Sequence, residues 1–166
     1  MIIKEIIDQN KDKKILEIGN VLSNYYQIPH DIVDKYEKAP NVINQDVVDF
    51  KPNEKYELIV SISTLEHVGW DEKPRDDNKI PQALENLRNL LKKGGMLIVT
   101  LPLGYNQALN KHLSDGTIQF QEQHYLMRIG SNSWQEASWD EVKDSKFGNP
   151  HSGANGLVVG FDYNQK

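Results

Sequence analysis

The apolar residues of this chain fall into short dense runs, separated by charged and turn-forming segments. Ile2, Ile3, Ile6 and Ile7 recur at helical spacing and predict a short amphipathic helix over residues 1–9. "KILEIG" reads as a buried strand, "HDIVDKYE" as a second and "NVINQDVVDF" as a third. "KYELIVSIST" is the clearest of all, with Leu58, Ile59, Val60 and Ile62 nearly continuous. Runs of this kind fit strands covered on both faces, as in parallel sheets. Ala83, Leu84, Leu87, Leu90 and Leu91 keep a helical stripe; Lys92 and Lys93 suit the negative helix end, and Gly94 is the expected left-handed stop. "GMLIVTLPLG" is another buried strand, ended by Pro102. Further on, "NQALNKHLSDG" reads as helix and "NGLVVGFDY" as a final strand, while "SWQEASWDEVKDS" has no clear period.

Strands alternating with helices predict an α/β fold with an open, mostly parallel sheet, whose ligands bind at the carboxyl edge. Acids cluster at those predicted strand ends: Glu17 beside Gly19, Asp34 near Glu37, and Asp46 near Asp49. Such carboxylates repel one another unless a ligand or water meets them. Composition narrows the choices. The 166 residues are 38% hydrophobic and 26% charged, which is globular, and the net charge of −5 argues against a general nucleic-acid binder. There is no cysteine, hence no disulfide and no thiolate metal site. The N-terminal "MIIKEIIDQNKDKK" lacks the apolar core of a signal peptide, and no run is long enough to span a bilayer, so a cytoplasmic location is expected.

Taken in order, "LEIGN", "IVDKYE", "NQDVVDF", "YELIVSISTLEHV" and "ALENLRNLLKKGGMLIVTLP" resemble the class I S-adenosylmethionine-dependent methyltransferases, over about residues 12–104. The resemblance implies a single-domain, Rossmann-like, doubly wound sheet of about seven strands with an antiparallel C-terminal strand. It implies an N-terminal helix over 1–9, a cofactor-binding core over 12–104, and a substrate-side region with the C-terminal strand over 105–166. The implied cofactor is S-adenosyl-L-methionine. Glu17 matches the acid of the family's first motif, near the cofactor's amino-acid end, and Gly19 the glycine that lets the backbone approach it, with Asn20 alongside. Asp34 matches the acid that grips the ribose hydroxyls, with Lys35 beside it and Glu37 a substitute. Asp46 matches the acceptor for the adenine amino group, and Val47 would offer its N–H to the ring. Ser61 and Ile62 match the strand end bordering the reactive methyl.

The physical chemistry of these residue types suits the roles. Glycine permits backbone approach that a side chain would block. A carboxylate accepts two hydrogen bonds from a diol, each charge-assisted bond worth on the order of 1.5–3 kcal/mol. The departures are equally plain. Asn20, Val21, Leu22 and Ser23 follow Gly19 where the family commonly has further glycines, and the short distance to the next strand leaves little room for a crossover helix.

Each candidate also has a plainer reading. Glu17 could cap a helix or pair with Lys14, and Asp34 and Asp46 could be solvated strand-end acids. His67, in "TLEHV", is a cofactor-wall residue, a catalytic base or a surface histidine. Tyr105 and Asn106 follow the fifth strand, where substrates approach in the family. His112, His124 and His151 have no metal-ligand spacing, so no metal site is proposed.

The implied activity is in-line methyl transfer to a small or medium acceptor: a sugar, lipid precursor or metabolite. The Asn/Asp-Pro-Pro-aromatic run of nucleobase methylation is missing, since the chain reads "SIST" there. A scaffold module without turnover is the alternative, motivated by the thin first loop. A nicotinamide-dependent oxidoreductase would need the G-x-G-x-x-G turn that is not present. Oligomeric state and any partner chain are left open.

Overall fold

The computed structural model of the chain describes residues 2–27 and 29–165. Met1 and Lys166, both inside the expected boundaries, lie outside the described residues. A first helix α1 (Ile2–Asn10) leads into β1 (Ile15–Ile18), β2 (Asp31–Val33) and β3 (Val42–Ile43). There follow β4 (Tyr56–Ile62), α2 (Lys79–Asn89), β5 (Leu91–Pro102) and α3 (Gln107–Ser114). The chain then makes β6 (Glu122–Arg128), β7 (Trp134–Ala137), the one-turn α4 (Trp139–Val142) and β8 (Gly156–Tyr163).

These strands form one sheet in the order β3-β2-β1-β4-β5-β8-β6-β7. The first five pair in parallel, β8 runs antiparallel to both β5 and β6, and β7 is antiparallel to β6. Alternation along β1 splits the core in two. Leu16 and Ile18 join the α2 side with Ile80, Leu84 and Leu87, whereas Ile15 faces Ile7 of α1, Leu22, Leu58 and Val60. Ile3 and Ile6 pack against that second cluster, so the helical spacing at the N-terminus was an amphipathic face.

The sheet has eight strands among the described residues, against the expected count of about seven. β6 and β7 are the two without a clear pattern in the sequence, and "SWQEASWDEVKDS" divides into β7 and α4. Ser138 and Glu141 form a capping box that ends the strand and starts the turn of helix. Gly94 has the expected positive φ of 75°, yet it is no helix stop. Helix α2 ends at Asn89, with Leu90 as its cap, and Lys92, Lys93 and Gly94 lie in the irregular start of β5. The third strand is only Val42–Ile43, so Asp46 stands three residues beyond its end. The crossover from β1 to β2 contains one short 3-10 turn, Leu22–Asn24, as the spacing required.

Candidate functional site

The parallel strands all point their carboxyl ends to one edge, and beyond β1, β2, β3 and β4 lies a cleft of about 440 Å³. That is within the usual range for a small-molecule site, roughly 300–1,000 Å³. Ile18, Val33, Val47 and Val68 give it an apolar lining. Asp34, Lys35, Tyr36, Glu37, Asp46, His67, Asp71 and Glu72 stand around it.

The first-motif residues do not face this cleft. Glu17 shares the α1 face of β1 with Ile15 and is fully buried. Its Oε1 accepts the N–H groups of Val21 and Leu22 at 2.6 and 2.7 Å, and its Oε2 lies 2.9 Å from His30 Nε2. Glu17 therefore holds the first loop in shape. Gly19 has φ of 86°, and a Cβ there would fall 2.3 Å from Thr64 Oγ1. The space its missing side chain leaves is filled by Thr64, which itself lines the cleft. Asn20 lines a second, more open groove and donates to Glu37 at 2.5 Å, tying the first loop to the segment after β2.

Asp34 sits at the rim. Its Oδ1 accepts the N–H groups of Tyr36 and Glu37 at 2.8 and 2.7 Å, fixing the turn and leaving Oδ2 for another donor. Asp46 is differently engaged. Lys35 and Lys79 Nζ each contact both Asp46 Oδ2 and Glu72 Oε2, at 2.5–2.8 Å, and Asp46 Oδ1 accepts from Val48 N–H. Burial pushes the Asp46 carboxyl up, but the two lysines outweigh it and carry it down to about 2. Lys35 is raised in turn, first by its hydrogen bonds to Asp46 and Glu72. This quartet joins the segments after β2 and β3 to the loop after β4 and the start of α2, and pins the 69–78 loop across the rim.

Ser61 is buried in β4 with an unpartnered Oγ, and neither it nor Ile62 lines the cleft; the strand-end contact is made by Thr64 instead. A positive φ of 45° at Ser63 turns the chain there and sets Thr64 against Gly19. Asn106 does not line the cleft. It is buried, its Oδ1 caps α3 by accepting from Leu109 N–H at 2.9 Å, and its Nδ2 donates to Glu66 O at 2.8 Å. Tyr105 is half-buried and donates to Asp71 Oδ2. His67 is the one expected site residue beyond β4 that does line the cleft.

Thr64, Asp71, Glu72 and Lys79 were not singled out in the sequence. Asp71 carried a signal, standing four residues from His67. Glu72 and Lys79 sat in a loop whose polarity gave no hint of which charges would turn inward.

The chain is similar in structure to the N-methyltransferase NodS from Bradyrhizobium japonicum WM9 in complex with S-adenosyl-L-homocysteine, with a TM-score of 0.57 and 14% identity over 99% of this chain and 85% of that one. It is also similar to a possible histamine N-methyltransferase from Thermotoga maritima, with a TM-score of 0.55 and 15% identity over 93% and 82% of the two chains. TehB from Haemophilus influenzae gives 0.54 and 14%, over 98% and 62%. No family profile matches the sequence, and no curated protein matches it either. At these identities the likeness defines a fold: the Rossmann-like fold of class I S-adenosylmethionine-dependent methyltransferases.

The residues present fit that cofactor at its nucleoside end, where an apolar slot is rimmed by the Asp34 carboxylate. The amino-acid end is built differently, because Glu17 and Gly19 are already committed to Leu22 and Thr64.

Proposed function

We propose that the whole chain acts as one S-adenosylmethionine-dependent methyltransferase domain, passing a methyl group to a small or medium acceptor such as a sugar, lipid precursor or metabolite. One observation carries this reading: the apolar cleft with Asp34 at its rim, at the carboxyl edge of a fold shared with a protein solved with S-adenosyl-L-homocysteine. The bound cofactor would supply an electrophilic methyl group on a sulfonium. Asp34 Oδ2 would hold the ribose diol, with Lys35 beside it. Val33 and Val47 would sandwich the base, with the Val47 N–H offered to its ring and Asp46 at its edge. Carboxylates outnumber lysines around the cleft, which suits a cationic ligand. The loop pinned by the Lys35–Asp46–Lys79–Glu72 quartet would keep water from the slot. In-line displacement asks the protein mainly for alignment, and a rim braced this way supplies it.

We place this activity in the cytoplasm; no described helix is long and apolar enough to cross a membrane. Isothermal titration with S-adenosyl-L-homocysteine tests the reading. Binding is expected, weakened by about 1.5–3 kcal/mol in Asp34→Ala. No heat at high micromolar ligand would refute it.

The first loop favours a second reading, a binding module without turnover, because Glu17 and Gly19 are both used internally. Formation of S-adenosyl-L-homocysteine from S-adenosyl-L-methionine in a cell extract separates the two.

A further inference from the structure

Beside the cleft, four polar side chains are gathered: Glu66, His67 and Asp71 from the segment after β4, and Tyr105 from the turn after β5. His67 Nδ1 lies 2.5 Å from Asp71 Oδ2, and the Tyr105 hydroxyl donates to the same oxygen at 2.7 Å. The Tyr105 ring meets the His67 ring edge to face at 4.8 Å, and Phe147 at 5.1 Å. Glu66 is 3% exposed; its Oε1 lies 3.6 Å from His67 Nε2 and its Oε2 has no hydrogen-bond partner.

The protonation of this array follows from its surroundings. Burial pushes the Asp71 carboxyl up, but hydrogen bonds from His67 and Tyr105 carry it below the usual range, so it is ionised. The Tyr105 phenol is pushed up to about 12 by burial and by Asp71, so it stays protonated and donates to that carboxylate. An ionised carboxylate at Nδ1 selects the tautomer with the proton there and leaves the lone pair on Nε2. Burial raises the Glu66 carboxyl to about 7, so a positive imidazolium next to it would draw it into its charged form.

We infer that His67 takes the acceptor's proton during methyl transfer, positioned by Asp71 and Tyr105, and that the acceptor is therefore a hydroxyl compound, an alcohol or a sugar hydroxyl. This rests on the methyltransferase reading above. The acceptor oxygen bonds to the methyl carbon as the methyl–sulfur bond breaks, and the sulfonium becomes a neutral thioether. The hydroxyl proton passes to His67 Nε2, and the imidazolium, held between Asp71 and Glu66, later yields it to water. A carboxylate acceptor has no proton to lose. A neutral amine attacks through its lone pair and loses its proton afterwards. Of a carboxylate, a neutral amine and a hydroxyl, the hydroxyl is the one that calls for a base as the bond forms.

Two measurements test this. Nitrogen-15 spectra of histidine-labelled protein, with no cofactor and in alkaline buffer, should show His67 in the Nδ1–H tautomer. That preference should vanish in Asp71→Asn and weaken in Tyr105→Phe; Asp71 is half-exposed and Tyr105→Phe removes only a hydroxyl, so these variants are expected to fold. An Nε2–H tautomer in the unaltered protein would overturn the inference without any reference to turnover. In the second, the protein is given carbon-13-methyl S-adenosyl-L-methionine and a small-molecule cell extract. The label should appear as an O-methyl resonance and fall by about 10²–10⁴-fold in His67→Gln at saturating cofactor. An N-methyl product, or O-methylation undiminished in His67→Gln, would overturn the inference and leave the methyltransferase reading standing. A protein that binds S-adenosyl-L-homocysteine yet labels nothing is a binding module, and the inference falls with turnover.

Discussion

Glu17→Ala distinguishes an acid that holds a loop from one that holds a ligand. The side chain is fully buried and accepts two short backbone N–H bonds, with His30 on its other oxygen. Truncation removes all three contacts and leaves the Leu22 N–H, a buried donor, without its acceptor. Each backbone N–H left without its acceptor costs about 1–3 kcal/mol, so losing both together costs about 4 kcal/mol. With a urea slope of about 2 kcal/mol/M, the midpoint should fall by about 2 M. Glu17→Gln keeps an oxygen for both N–H groups and should cost about 1–2 kcal/mol. Urea unfolding followed by circular dichroism gives the midpoints, and titration of the folded variant with S-adenosyl-L-homocysteine gives its affinity. The loop-holding role is refuted if Glu17→Ala unfolds at the unaltered midpoint while cofactor affinity drops tenfold or more.

Gly19→Ala should cost about 2–5 kcal/mol, from left-handed backbone strain and a Cβ pressed on Thr64; adding Thr64→Gly should recover the steric part in a double-mutant cycle. Asp46 and Glu66 should give opposite pH dependences. The Asp46 carboxyl is depressed to about 2, so its contribution, about 2 kcal/mol, is present above about pH 4 and is lost as pH falls toward 2. The Glu66 carboxyl is raised to about 7, so stability falls as pH climbs from about 4.5 to 7; Glu66→Gln should stabilise by about 3 kcal/mol at pH 8 and leave pH 4 unchanged, read as unfolding midpoints across pH. Asn106→Ala should lower stability by about 1–2 kcal/mol through the lost helix cap, measured by thermal unfolding.

Strands β1 and β4 and the body of β5 were legible because they are buried and read as near-continuous apolar runs. Strand β7 was not, because an exposed edge strand carries almost no alternation: Trp134, Gln135 and Glu136 are all exposed. Gly94 was misplaced because a helix stop and an irregular strand start both ask for a positive φ in a short polar turn. At the site, two of the three strand-end acids, Asp34 and Asp46, line one cleft. Side-chain direction was beyond the sequence. Glu17 turned to the other face of β1, and Asn106 turned inward to cap α3. The charge quartet was hidden because its members are spread from Lys35 to Lys79, and spacing along the chain says nothing of pairings at that range.

β8 lies between β5 and β6 although it is the last strand in chain order. As the polypeptide leaves the ribosome, the β6–β7 hairpin has no partner in the sheet, and β5 carries an open edge, until Gly156–Tyr163 emerges. Nascent chains stopped short of that segment would expose two complementary pairing surfaces at once, and such fragments would adhere to one another and not fold alone.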